Sequence, residues 1–357
     1  MTKFFSLLMT FILMILSLFG GNTAPDNGGG DIDNPEPTPD VITEFNYSIH
    51  DKHFEFNNIQ YGKDSVANTL DLYIPRTNSK CEMGLVLFIH SGGWLIGNKS
   101  EFSDKAKDYA LNNGVACASI NYSTLSDSVG IQDMLNDITN SLTAIKSAGE
   151  QVAVTIKKTV LVGYSAGGHL ALTYAYSMSD TAAIKPAAVI SYAGATDFTN
   201  GDYWLDTNTF NSKYKLEVPA EGNGLLPVQY ILSKIAGNSV ELSRDVEANS
   251  EALLKYSPVN YYKDAVPTLL IHGKNDTVIP YSESEKLDSL LDNIDIDHTL
   301  ISLDNSDHNL NSPADADNIK KAENEFNNII ASYIKDVKDL MPKEETTVEQ
   351  TTVENVK

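Results

Sequence analysis

The sequence predicts an α/β protein: a mostly parallel central sheet with flanking helices and an inserted cap. Three observations carry this. Short apolar runs alternate with helical periodicities along most of the chain. One junction reads strand, then Gly163-Tyr-Ser-Ala-Gly-Gly168, then helix. Residues 199–260 break the alternation with a long stretch of aromatics among Gly and Asn. With 357 residues, 42% hydrophobic and 21% charged, the chain has ample material for one large core. A formal net charge of −22 leaves no basic patch to neutralise phosphates, which excludes a nucleic-acid partner.

At the start of the chain, Met1-Thr-Lys3, an apolar run from Phe4 to Phe19 and small residues up to Ala24 describe a secretory signal over residues 1–24. The run is shorter than the roughly 20 residues that a membrane span needs. The expectation is therefore a secreted or extracytoplasmic protein, membrane-bound only if this segment stays uncleaved. Residues 25–44 form a Gly/Pro/Asp-rich linker with nothing to bury, a tether from the N-terminus to the domain. Residues 341–357 are a polar tail without periodicity. A folded domain is expected over residues 45–340.

Within it, Leu70-Asp-Leu-Tyr-Ile-Pro75 alternates apolar and polar, as a half-exposed strand does. Residues 84–90 are a continuous apolar run, which suits a strand buried on both faces of a parallel sheet. The same logic places strands at 115–122, 159–162, 187–193 and 268–271, with another at 298–303. Ile319, Ala322, Phe326, Ile330 and Tyr333, three or four apart, give the last helix one apolar face. Alternating strands and helices imply right-handed parallel crossovers. The segment 199–260, with Tyr203, Trp204, Phe210, Tyr214, Leu225, Leu226 and Tyr230, is too long for a plain loop and is expected to cap the substrate site. Cys81 and Cys117 are too few for a disulfide scaffold, and Cys117 reads as a small buried hydrophobe; whether they pair is left open.

Thr159-Val-Leu-Val162, then Gly-x-Ser-x-Gly and a helix start, has the form of a nucleophile elbow, with Ser165 the nucleophile. A Gly-rich strand-to-helix turn would show the same pattern, so the weight rests on partner residues further along the chain. A serine needs a base to take its proton and an acid to orient that base. On this kind of sheet they arrive in the order serine, acid, histidine. Only His298 and His308 lie late enough. His298 opens an apolar strand, whereas His308 lies in the loop beyond it, at the edge where a base could reach Ser165. His308 is therefore assigned as base. Thr268-Leu-Leu-Ile-His-Gly-Lys-Asn-Asp276 ends a strand at the same edge and makes Asp276 the acid, with Asp197 its competitor and Asp307 expected to point elsewhere. The amides of Gly92 and Gly93, in His90-Ser-Gly-Gly-Trp94, and that of Ala166 are the candidate oxyanion hole. His169 and His272 read as hydrogen-bonded structural histidines. No cluster shows metal-ligand spacing and no Gly-rich phosphate loop is present, so neither metal nor cofactor is expected.

The combination of His90-Ser-Gly-Gly-Trp94, Asn121-Tyr122, Gly163-Tyr-Ser-Ala-Gly-Gly-His-Leu-Ala171, Thr196-Asp197, Ser257-Pro258 and Ile271-His-Gly-Lys-Asn-Asp276 resembles α/β-hydrolase serine esterases. It is most similar to the bacterial feruloyl- and acetyl-esterase-like branch, related to hormone-sensitive-lipase-like carboxylesterases, over roughly residues 55–335. The resemblance implies the α/β-hydrolase fold, the triad Ser165, Asp276 and His308, and the glycine amides as oxyanion hole. The usual His-Gly-Gly-Gly reads His-Ser-Gly-Gly here, and Ser123 stands where an arginine often follows Asn-Tyr. The expected activity is an exported serine esterase acting through an acyl-enzyme on a small-molecule or polysaccharide-linked ester, such as an acetyl or feruloyl group. A serine peptidase or amidase, or a lipase, would share the triad. Matched ester and amide substrates separate them. A non-catalytic binding module on this fold would be expected to have lost a triad member, whereas all three stand here.

Overall fold

In a computed structural model, residues 45–77, 80–200, 227–237 and 250–334 are described. The expected signal, the linker and the polar tail lie outside them, as does most of the cap, including Tyr203, Trp204, Phe210, Tyr214, Leu225 and Leu226.

Among the described residues nine strands form one sheet: β1 (Ser48–Ile49), β2 (His53–Gln60), β3 (Thr69–Pro75), β4 (Cys81–Ile89), β5 (Ala116–Ile120), β6 (Val154–Tyr164), β7 (Lys185–Tyr192), β8 (Thr268–Gly273) and β9 (His298–Leu303). Their order is β1-β2-β3-β5-β4-β6-β7-β8-β9. The first three pairings are antiparallel, and every pairing from β5 to β9 is parallel. The mostly parallel sheet expected from the apolar runs is therefore present. Its pleat sends Leu85, Leu87 and Ile89 of β4 into one core and Val86 and Phe88 into the other, so both faces are buried.

The helices are α1 (Ser103–Asn113), α2 (Ile131–Gln151), α3 (Ala166–Ser177), α4 (Pro227–Ala236), α5 (Ser250–Leu254), α6 (Tyr281–Leu291) and α7 (Ala316–Tyr333); α1, α2, α3, α6 and α7 pack on the sheet, whereas α4 and α5, in the described part of the expected cap, pack on each other. On α7, Ala322, Phe326, Ile329 and Ile330 are buried, with Ile319 and Tyr333 packed at the margin. Among the described residues, no helix is long and apolar enough to cross a membrane.

Three features depart from the sequence reading or complete it. Strands β1 and β2 were not expected: a bulge between Phe56 and Ile59, with Asn58 at φ 55°, breaks the alternation that would have marked β2. Strand β3 is buried along its whole length and not half-exposed. Its polar Asp71 is covered because Lys99 Nζ, at 2.6 Å, and Ser103 Oγ, at 2.7 Å, donate to its carboxylate under α1. Cys81 and Cys117 are both free. The register sets Val86 opposite Cys117, which leaves Cys81 roughly 16 Å away along β4, well beyond disulfide reach.

Parallel strands all end at one edge. The loops after β4, β6, β8 and β9 carry residues 90–94, Ser165, Asp276 and His308, and this common edge is where the site is built.

Candidate active site

Ser165 joins β6 to α3 at φ 55° and ψ −119°. A non-glycine residue in that region costs about 1–3 kcal/mol and persists only where its surroundings hold it. Here its amide donates to the Tyr192 carbonyl at 2.8 Å, and its own carbonyl accepts from His169 N at 3.0 Å. The elbow brings backbones into contact. A Cβ on Gly163 would lie 2.1 Å from the Gly167 carbonyl oxygen, and one on Gly167 would lie 2.2 Å from that of Ile89.

The structure brings all three predicted residues together. His308 Nε2 lies 3.0 Å from Ser165 Oγ, and its Nδ1 lies 2.6 Å from Asp276 Oδ2. Asp276 Oδ1 accepts from the amides of Val278 at 2.8 Å and Ile279 at 3.0 Å. Burial alone would raise this carboxyl's pKa. The charge of His308 and the hydrogen bonds from His272 and His308 outweigh it and hold Asp276 well below the usual carboxylate range. An ionised Asp276 can only accept, so His308 Nδ1 carries the proton and Nε2 is left to take the hydrogen of the Ser165 hydroxyl.

The rejected candidates are engaged elsewhere. Asp197 accepts from Thr199 N and Oγ1 on one oxygen and pairs with Lys286 on the other. Asp307 holds the Asn309 amide at 3.0 Å. His298 stands at the opposite end of β9, 3.2 Å from Asp292.

The loop after β4 turns through Gly92 at φ 111°, Gly93 at φ 60° and Trp94 at φ 61°. A Cβ on Gly92 would meet the Ile96 carbonyl oxygen at 1.8 Å, so only glycine fits. Among the described residues, no backbone acceptor outside the regular elements takes the amides of Gly92, Gly93 or Ala166. Ala166 is the first residue of α3, whose amide has no intrahelical partner. Beneath this loop, Glu101 Oε2 accepts from Ser91 N and Oγ, each at 3.3 Å, and burial pushes its carboxyl up to about 7. Tyr122 Oη donates to the His90 carbonyl at 3.1 Å while its ring stacks on His90. Ser123 donates its amide to Asp137 at 2.8 Å and accepts from Asn68 at 3.2 Å.

Trp94 Nε1 donates to His169 Nδ1 at 3.1 Å, so the proton of His169 is on Nε2, which reaches the Tyr256 carbonyl at 2.7 Å. That is the structural role read from the sequence. His272 is also buried and hydrogen-bonded, but one partner of its Nε2 is Asp276 Oδ2 itself, at 3.1 Å. The sequence places His272 at a strand end and holds no signal for that contact.

His50, His53 and Glu55 bring three ligand-type atoms within 4.8 Å of one another. Lys107 Nζ already lies 2.7 Å from Glu55 Oε2, the oxygen that both histidines face. The two imidazoles stack at 4.5 Å and 7°, so their in-plane lone pairs run parallel and do not converge on one ion. The trio does not fit a metal.

A buried serine hydrogen-bonded through its hydroxyl to an oriented imidazole has the arrangement for attack on a carbonyl carbon. Serine, acid and histidine in that chain order, on successive strand ends of one parallel sheet, distinguish α/β-hydrolases from other doubly wound proteins. This chain is an α/β-hydrolase. Residues 70–291 match the BD-FAE family, and the chain belongs to that family of α/β-hydrolase esterases.

It is 24% identical over 267 residues to a probable carboxylic ester hydrolase, LipM of Mycobacterium tuberculosis, covering 72% of this chain and 55% of that protein. It is 23% identical over 298 residues to the non-reducing polyketide synthase Preu6 of Preussia isomera, covering 71% of this chain but only 14% of the synthase. Among solved structures, a truncated carbohydrate esterase from gut microbiota superposes with a TM-score of 0.55 at 19% identity, covering 81% of this chain and 98% of that one.

Proposed function

We propose that this protein is an exported serine esterase that hydrolyses carboxylic esters through an acyl-enzyme. One observation carries the reading: Ser165 Oγ, His308 and Asp276 form a continuous hydrogen-bonded line of 3.0 and 2.6 Å. Its three members are only 8%, 5% and 8% exposed. In the proposed reaction Ser165 Oγ bonds to the ester carbonyl carbon and its proton passes to His308 Nε2. The carbonyl oxygen becomes an oxyanion facing the amides of Gly92, Gly93 and Ala166. Each such donor typically contributes about 2.7–4 kcal/mol to the transition state. Collapse breaks the C–O bond, and the leaving alcohol takes the proton from His308. A water then gives a proton to His308 and attacks the acyl carbon, which frees the acid and returns the proton to Ser165.

Acetyl or feruloyl esters of polysaccharides are the proposed substrates. The N-terminal signal pattern and the likeness to a carbohydrate esterase support this choice. Acetate or ferulate release from xylan tests it, and activity confined to small synthetic esters would reject it. Fluorophosphonate labelling tests the mechanism. Label is expected on Ser165 and absent from Ser165→Ala, whereas a folded wild-type protein that takes no label would be a binding module.

A further inference from the structure

We propose that His272 is a positioning residue for the triad, and that Ser284 fixes the tautomer in which it acts. This rests on the proposed serine-esterase reading.

His272 is the penultimate residue of β8 and has no exposed surface, and both nitrogens of its imidazole are engaged. Nε2 lies 3.1 Å from Asp276 Oδ2 and 3.0 Å from the Ile279 carbonyl oxygen. Nδ1 lies 2.7 Å from Ser284 Oγ on α6. The Tyr281 ring packs edge-on against it at 5.7 Å. Both partners of Nε2 are oxygens that only accept, so Nε2 carries a proton and donates to them. In the neutral ring Nδ1 is then an acceptor, and the hydroxyl that faces it can donate. Ser284 thus favours the one tautomer that points N–H at Asp276.

Asp276 Oδ2 therefore receives two imidazole N–H groups, one from His308 at 2.6 Å and one from His272 at 3.1 Å, while Oδ1 receives two backbone amides. Four donors leave this buried carboxylate one orientation and share its charge. Among the described residues, the titratable groups facing Asp276 are His308 on the loop after β9 and His272 on β8; those on His272 are Asp276 and Tyr281, and those on His308 are Asp276 and Tyr164. Without the His272 donor, the negative charge on Oδ2 acts on His308 undiminished and binds its proton more firmly. The imidazole would then become an available base only at higher pH, and the carboxylate that aims it would be free to rotate.

The test compares wild type, His272→Leu, His272→Gln and Ser284→Ala on p-nitrophenyl acetate across pH, with fluorophosphonate labelling and thermal melts of each. Hydrogen bonds to charged groups and the equivalence of a tenfold change with one pH unit set the scale. His272→Leu is expected to lose about tenfold in kcat with KM unchanged, and to move the acidic limb of its kcat/KM profile up by about half to one pH unit. His272→Gln keeps an N–H near the Nε2 position and should restore most of both, with Ser284→Ala falling between. A folded His272→Leu with an unmoved acidic limb overturns the proposal, as does equal loss in the Leu and Gln variants. If wild type itself neither turns over ester nor takes label, the esterase reading fails instead, so the two failures are distinct.

Discussion

Tyr164 donates its hydroxyl to the main-chain carbonyl of His308 at 2.9 Å. The residue before the proposed nucleophile therefore holds the loop that carries the proposed base, across a sequence separation of 144 residues. Its ring also lies 5.2 Å from the His308 imidazole. Tyr164→Phe keeps the ring and removes the bond, a loss of about 1 kcal/mol. Ester hydrolysis should fall severalfold in kcat while the melting temperature drops only a few degrees. Unchanged kinetics would show that the β9 loop is held without Tyr164.

The acid can be assigned by paired substitutions. Asp276→Asn should lower kcat by about 10⁴-fold, because the amide no longer fixes the His308 tautomer. Asp197→Asn alters the bonds to Thr199 and Lys286, which take no part in the Ser165–His308–Asp276 line, and should leave kcat within about threefold. The opposite ranking in a steady-state assay would exchange their roles.

Gly167 has no room for a side chain. A Cβ there would come 2.2 Å from the Ile89 carbonyl and 2.5 Å from that of His90, both backbone atoms leading into the loop of Gly92 and Gly93. Gly167→Ala must displace that strand end, at a cost of about 1–3 kcal/mol. Denaturant melts should show the loss. Fluorophosphonate labelling of the folded fraction should slow as well, since the clash falls in the elbow that holds Ser165.

Glu101 makes stability depend on pH. Burial lifts its carboxyl from an ordinary 4.5 to about 7, so the folded state holds a proton that the unfolded chain has released. This stabilisation is complete below about pH 4.5 and is lost as pH rises through about 7. Glu101→Gln keeps an oxygen for Ser91 and cannot ionise, so the variant should gain on wild type across that window and hold a constant margin above it. Melting temperatures measured from pH 4.5 to 8 give the answer, and parallel curves would show that Glu101 stays charged. Glu283, also raised to about 7 by burial, leaves a slope of the same sign in both proteins.

His169, itself fully buried, links Trp94 Nε1 at 3.1 Å to the Tyr256 carbonyl at 2.7 Å. His169→Leu fills the space but orphans both groups, at about 1–3 kcal/mol each. Chemical denaturation should report a loss of that order, with His169→Gln milder.

The geometry of parallel strands explains how much of the site was legible in the chain. Their carboxyl ends all lie on one edge, so a residue just past a strand end reaches the common site whichever neighbours that strand has. Ser165 after β6, Asp276 after β8, His308 after β9 and the glycines after β4 needed only a local pattern and the chain order to be found. Other features depended on contacts between distant residues that leave no local pattern. The bulge at Asn58 hid β2, and Lys99 reaching Asp71 turned an alternating, half-polar strand into a buried one. Glu101 beneath Ser91 and His272 against Asp276 exist only because α1, α6 and the strand-end loops pack where they do. Periodicity and motif order report what each segment buries and where it ends. Which buried polar group meets which is set by packing across the whole fold, and that is where the support of the site was decided.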